Sequence, residues 1–508
     1  MGFWEQFPYT NFHEVNLNYI FKTLKELLEK FEDFKAINEV TYGGIWDINR
    51  NYSAWTIVAY ENNAYISKKP VSRGIPIENR DYWILASELD PRIMSLTEEV
   101  EKIKAKLESY GVFNIRLYGA VGDGITDDSE AIKTAIAAAE NRAIFVPTGS
   151  YLCNNIVDFG NISALYGEGS ISRLIWHNSP AGITFNIPKL NPTESQSLSI
   201  KDIYLGCTGD GNDVALTIDG SDSIGDRFTP RPVIDNVIIG PVDSYIITEG
   251  WNSGILLKSC NGVMISNCGI TGRKNSTGKA LHITSPTELH GTEFLIQSSK
   301  LTHFDTAVYS DIFEGLELNQ VVAICKKGVV IHGTANYPHV SIAESHFNCT
   351  DLCFDLTNCK EIFITNNLFY LRADSENARI GVLNTSSRRF VVQGNIFNTE
   401  NDAVKTYQLV VRGKDGVIAH NIFCGDSTPN ILVQDPASNV RVIDNISEDG
   451  TIVAGERDRA IVGSCAGQIV KLDRTKNVTR NYDVWFDTDG NMYFKTGDSF
   501  KRISTIDA

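Results

Sequence analysis

Apolar residues recur along this chain in several rhythms, and each change of rhythm marks a change of element. Leu17, Ile20, Phe21, Leu24, Leu27, Leu28, Phe31 and Phe34 fall three and four apart, one stripe of a helix within residues 1–38. Residues 39–89 turn to alternating aromatic and β-branched positions broken by Asn, Gly and Pro, the pattern of a small β module. Over 90–111, Ile93, Leu96, Val100, Ile103, Leu107 and Tyr110 alternate three and four apart with charges between them. That heptad seam predicts a short coiled coil, with a helix packed on its own chain as the alternative.

From 112 to 448 a degenerate repeat takes over. VMISNCGI (263–270), VSIAESHF (340–347), IFITNNLF (362–369) and FVVQGNIF (390–397) each read as strand, polar pair, strand. A second piece, seen in SGILLK (253–258), KALHIT (279–284), TAVYSD (306–311), KGVVIH (327–332), TDLCFD (350–355) and RIGVLN (379–384), returns at intervals of roughly 21 to 29 residues. Units this small bury their apolar faces only by stacking. Strands at this period without helices between them predict a mainly β chain, a right-handed parallel β-helix. The polar pairs become stacked bends, where Asn tolerates the left-handed conformation.

The run LYGAVGDGITDDSEAIKTAI (117–136) supplies the start of the solenoid. Gly122 and Gly124 permit a sharp turn. Asp127 and Glu130 form a capping-box-like pair in front of a helix over 127–140, which covers the open end of the stack. Residues 449–508 read as a β cap or trimerisation module, with DG and GD turn signals for two hairpins.

Composition narrows the function. The chain has 508 residues, 42% hydrophobic and 21% charged, which suits a folded protein with a large interior. A net charge of −16 argues against a nucleic-acid partner, and no run of 18 uncharged apolar residues predicts a membrane span. The ten cysteines lack metal-ligand spacing and read as small buried hydrophobes. No cofactor or metal is expected. The glycine loop at 119–124 lacks the lysine of a phosphate-binding loop, and the Asp/Gly-rich stretch 206–232 lacks the ordered spacing of a calcium loop.

The stretch YGAVGDGITDDSEAI, with its sequel FVPTGSYL, closely resembles the start of the pectate-lyase-superfamily β-helix of phage tailspikes, appendage (receptor-binding) proteins and related glycan-active enzymes. The resemblance is specific over 113–153 and rests on the repeat pattern alone to 448. The layout of helix, β module, coiled coil and solenoid is similar to that of phage virion proteins, and FWEQFPYTNFHEVNLNYIF resembles anchors in phages of Gram-positive hosts. The resemblance implies a homotrimer in the phage tail, made in the host cytoplasm without a signal peptide. Residues 1–38 would dock to other phage tail proteins. The β-helix flank would bind, and cleave, a bacterial cell-surface polysaccharide or teichoic acid during host adsorption. A binding-only tail fibre and a cellular polysaccharide lyase or hydrolase of the same fold remain as alternatives.

Stacking brings equivalent residues of neighbouring rungs to about 4.8 Å. Aligning the second repeat piece puts Asp311, His332 and Asp355 in one outward column. Asp311 and Asp355 are then candidate catalytic carboxylates about 9.6 Å apart, with room for the water of an inverting hydrolysis. His332 and, in the adjoining column with Leu256, His282, Val330 and Cys353, Tyr309 are candidate substrate-binding residues. The plainer reading is that each Asp caps a turn at a strand end. A rival site lies on the excursions 206–232 and 240–251, with Glu249 as catalytic acid and Asp243, Arg227 and an exposed Trp251 binding sugar. Trp251 packed under its own loop is the competing reading. A third outward column, Met264, Leu295, Glu317, Ser341 and Phe363, is read as a subunit interface.

Overall fold

A computed structural model describes residues 41–85 and 102–462, with short gaps, and three strands between 484 and 502. The helix expected over 1–38 and most of the heptad seam lie outside the described residues. Two compact units divide at Tyr151 and Leu152.

In the first unit, Thr41–Ile45 runs parallel to Thr56–Tyr60, which continues antiparallel to Asn63–Ser67 and then Trp83–Leu85. Tyr52, Val58, Val71, Ile77 and Trp83 form its buried core. The Arg50 guanidinium fastens this sheet to the 3-10 turn Ile115–Tyr118, donating to the carbonyls of Gly43 (3.2 Å) and Gly119 (2.8 Å).

The helix that follows, Ser129–Ala139, is not started by the capping box expected from Asp127 and Glu130. The acid that organises this stretch is Asp128, fully buried, which turns back to accept from the amides of Val121 (2.6 Å) and Gly122 (3.1 Å). Asp127 accepts from the amide (3.1 Å) and hydroxyl (2.6 Å) of Ser129, while Glu130 pairs with Lys133 at the surface (2.8 Å). Burial pushes the Asp128 carboxyl up to about 6, against the pull of the two amides and Arg50. Gly122 is required: its φ is 72°, and a Cβ there would lie 2.7 Å from Cε1 of Tyr151.

From Leu152 to Val462 the described strands wind as a right-handed parallel β-helix. Each rung contributes to three sheets. One rung runs through Lys360–Thr365 in sheet A, Leu368–Leu371 in sheet B and Arg379–Leu383 in sheet C, and each pairs parallel with its counterpart in the rungs on either side. The polar pairs do form the A–B bends. The first residue is left-handed, as at Asn267, Ser298, Gln320, Glu344 and Asn366 with φ between 48° and 57°.

From Asn366/Asn367 onward the second residue of the bend turns inward and makes a ladder. Asn367 donates from its amide and its Nδ2 to Oδ1 of Asn395 (3.0 and 3.0 Å), Asn395 does the same to Asn421 (3.0 and 2.9 Å), and Asn421 to Asn445 (3.0 and 2.9 Å). Each buried amide thereby satisfies a backbone N–H that the tight bend would otherwise orphan. Beside the ladder, Phe347, Phe369, Phe397 and Phe423 stack at 5.3, 5.3 and 4.8 Å through the core. The nine described cysteines are free thiols, eight of them buried. The column Met264, Leu295, Glu317, Ser341, Phe363 is in register as expected. At the far end, Val484–Phe486, Met492–Thr496 and Ser499–Arg502 pair antiparallel as two consecutive hairpins.

Candidate functional site on sheet C

Sheet C carries an outward column of Leu256, His282, Tyr309, Val330 and Asp355, each paired with the next. This corrects the expected register. Asp355 stands opposite Val330 rather than His332, which faces Thr357, and Cys353 is buried inside the coil. The strands Val322–His332 and His346–Thr357 pair Cys325 with Cys349 but Lys327 with Leu352, so the later strand takes one extra residue around the B–C corner. The true register differs from the expected one by two residues, a slip that preserves the alternation of inward and outward side chains. Asp311 and Asp355 therefore lie two rungs apart in different columns. Their backbone positions are about 12 Å apart rather than about 9.6 Å.

Tyr309 is the centre of the arrangement. Its ring meets His282 edge to face at 5.3 Å and His332 at 6.0 Å, and the Lys279 ammonium lies 4.8 Å from its centroid. Burial, then Lys279, holds the His282 imidazole below its ordinary value, against Asp311, which favours a neutral ring at neutral pH. Burial and the charge of Asp311 raise the Tyr309 phenol. Burial also raises the Asp355 carboxyl, opposed by the Thr357 hydroxyl (3.2 Å), His332, Asn384 and Arg412. Two atoms beside Tyr309, Nε2 of His282 and Oδ1 of Asp311, are buried and hydrogen-bond to no described protein group. Such orphans cost free energy.

The rival site changes character. Trp251 is fully buried, which corrects its expected role as an exposed sugar platform: it packs edge to face on Trp176 (5.7 Å) and donates from Nε1 to the Leu205 carbonyl (3.2 Å). A Cβ at nearby Gly182 would lie 2.2 Å from the Ala215 carbonyl oxygen and 3.2 Å from the indole. Glu249 is half-buried and Asp243 exposed, both on the chain leading into Ser253–Lys258. Asp311 follows Thr306–Ser310 at the opposite end of sheet C, so the two groups of residues do not converge. Arg227 lies outside the described residues.

Lys279, Asn384 and Arg412 were not singled out from the sequence. Lys279 opens and Asn384 closes repeat pieces already aligned in the sequence, while Arg412 follows the next strand, Leu409–Val411, so reading the ends of the pieces as well as their centres would have found them. Among the described residues no cluster of His, Cys, Asp and Glu is arranged to hold a metal ion, and no helix is long and apolar enough to cross a membrane.

Comparison with known proteins points the same way. Residues 112–287 match the family described as Rhamnogalacturonase A/epimerase, pectate lyase-like. The chain is 26% identical over 157 residues to a pre-neck appendage protein of Bacillus phage B103, covering 28% of this chain and 17% of that protein. It spans less than a fifth of the length of the curated relatives it matches. The fold is similar to that of tailspike protein 3 of bacteriophage CBA120, with 13% identity, a TM-score of 0.56, and coverage of 92% of this chain and 86% of that one. It is also similar to the N-terminal fragment of gene product 12 of bacteriophage phi29, with 13% identity, a TM-score of 0.51, and coverage of 76% and 77%. The fold is thus a parallel β-helix similar to those of these phage proteins, and residues 112–287 are pectate lyase-like.

Proposed function

We propose that this protein is a phage tail spike or appendage protein that binds a bacterial surface glycan through the outer face of sheet C. The observation that carries the reading is the run of His282, Tyr309 and His332, three rings meeting edge to face over three rungs and flanked by Asp311 and Asp355. Such a face offers flat apolar rings to sugar and carboxylates to its hydroxyls. The similarity to a tailspike and to a pre-neck appendage protein supports placing it in the virion. In this reading residues 1–38 attach to other tail proteins and the chain assembles as a homotrimer.

A second reading, cleavage of the bound glycan, is favoured by Asp355, whose carboxyl holds its proton more firmly than an ordinary one, as a general acid must. Asp311, two rungs away in the adjoining column, would be its partner.

The test is incubation of the purified protein with isolated surface polymers of the host, following both binding and new reducing ends, unsaturated sugars or released glycerol phosphate. Binding that Tyr309→Ala abolishes is expected. Product lost in Asp355→Asn and Asp311→Asn supports cleavage, and binding without product leaves a receptor-binding protein. No binding to any surface polymer overturns the reading.

A further inference from the structure

We propose that the corner between sheets C and A, over the late rungs, is a binding strip for a polymer carrying repeated anionic groups, phosphate or carboxylate. Lys360, Arg388 and Lys414 open three consecutive strands of sheet A and pair directly one above another. Ser438 ends the column. Arg388 and Lys414 are exposed and Lys360 half-buried, and among the described residues neither lysine makes an ion pair. The next residue of each strand is left-handed, giving a second column of Glu361, Arg389, Asp415 and Asn439 with φ between 53° and 57°. The members of that column engage one another. Arg389 pairs with Glu361 (2.9 Å), and Asn439 donates from Nδ2 to Oδ1 of Asp415 (2.8 Å).

Charge identifies the ligand. Like charges at directly opposed positions of neighbouring strands repel, and an anion bridging them removes that cost. The eight positions of the two columns hold four cations and two acids, whereas the whole chain has 46 Lys and Arg against 62 Asp and Glu. The strip also begins where the sheet C face ends. Thr357, whose hydroxyl donates to Asp355, leads through the bend to Lys360, and Arg412, just ahead of Lys414, donates to Oδ1 of Asn384 (3.4 Å) beside Asp355. The three cations span two rung intervals, about 9.6 Å, so one polymer can lie over the rings of sheet C and carry its charges onto the strip. Phosphate and carboxylate both suit such a row, Arg388 offering paired hydrogen bonds and the lysines point charges. The inference names the charge class of the glycan proposed above and rests on that reading for what the polymer is.

Calorimetric titration of the full-length protein tests it, with poly(glycerol phosphate), polygalacturonate and neutral dextran as probes in about 50 mM NaCl, where surface charge is little screened. Wild type is expected to bind one of the anionic probes about tenfold or more tightly than dextran, and which one it prefers separates phosphate from carboxylate. Lys360→Gln with Lys414→Gln is expected to lose about fivefold or more of that affinity, a difference that vanishes in about 1 M NaCl. Lys360→Arg with Lys414→Arg is expected to stay within about twofold of wild type, since the charges remain. Lys102→Gln with Lys106→Gln, which removes the same charge from exposed positions elsewhere, is expected to do the same. Anionic probes bound no better than dextran overturn the strip, as does a glutamine pair at 360 and 414 that binds them like wild type. If that pair loses the anionic probe while Tyr309→Ala keeps it, the strip stands and the sheet C reading fails. Isolated host polymer whose binding depends on Tyr309 but not on Lys360 and Lys414 overturns the strip alone.

Discussion

The rings of Tyr309 and His332 meet edge to face across one rung of sheet C at 6.0 Å, and His282 repeats the contact one rung earlier at 5.3 Å. Half-buried rings of His282 and Tyr309, with the exposed His332 beside them, are held by the rung repeat and lose little entropy on binding. Tyr309→Ala is expected to weaken glycan affinity at least tenfold, while Tyr309→Phe, which keeps the ring, stays within about threefold. Titration by calorimetry against isolated host surface glycan checks this. Equal affinities for the Ala variant and wild type would move the site elsewhere.

The Asn ladder predicts a stability effect far from that face. Asn395 accepts from both nitrogens of Asn367 and donates to the Ile364 carbonyl (2.8 Å) and to Asn421. Asn395→Ala orphans the buried Asn367 amide and is expected to cost about 2–4 kcal/mol, several degrees in Tm. Thermal unfolding followed by circular dichroism measures it; a change below about 0.5 kcal/mol would contradict the ladder's role.

Steric fit gives a third prediction. A Cβ on Gly381 would lie 2.0 Å from Cζ of Phe354 on the neighbouring rung. Gly381→Ala is expected to destabilise by about 2–4 kcal/mol, and Phe354→Leu in the same chain to recover part of that loss. Strict additivity in the double-mutant cycle would refute the contact.

Asp128 ties stability to pH. Its carboxyl keeps its proton up to about 6 in the folded chain, against 3.8 for an ordinary aspartate. Between those values the folded state binds more protons than the unfolded one. The stability this group contributes is therefore full below 3.8 and lost as pH rises through about 6. Asp128→Asn does not titrate, so the unfolding free energy of wild type relative to the variant is expected to fall by about 1–3 kcal/mol between pH 4 and pH 7.5. Denaturant titrations at both pH values measure it, and a pH-independent difference would contradict the assignment.

The coil and its bends were legible because a solenoid writes its period into the chain: the strand, polar pair, strand repeat marks the A–B bend at Asn366/Asn367 and again at Gly394/Asn395. The division of labour within each pair, one residue left-handed and the next buried in a ladder, was not, since both sit between apolar strands. The site was half legible. Tyr309 and His282 fall in one column as expected, but Asp355 was displaced by two positions, and a two-residue slip leaves the hydrophobic alternation unchanged. Trp251 was misplaced for another reason: it packs on Trp176 and donates to the Leu205 carbonyl, both far away in sequence. At the first turn two adjacent acids compete, and the sequence does not reveal that Asp128 points back to Val121 while Asp127 faces Ser129.

The most direct test of the account is a crystal structure of the protein soaked with an oligosaccharide prepared from the host surface polymer. Density for sugar rings is expected over Tyr309, between His282 and His332. Well-ordered sugar elsewhere on the coil, with sheet C bare, would contradict it.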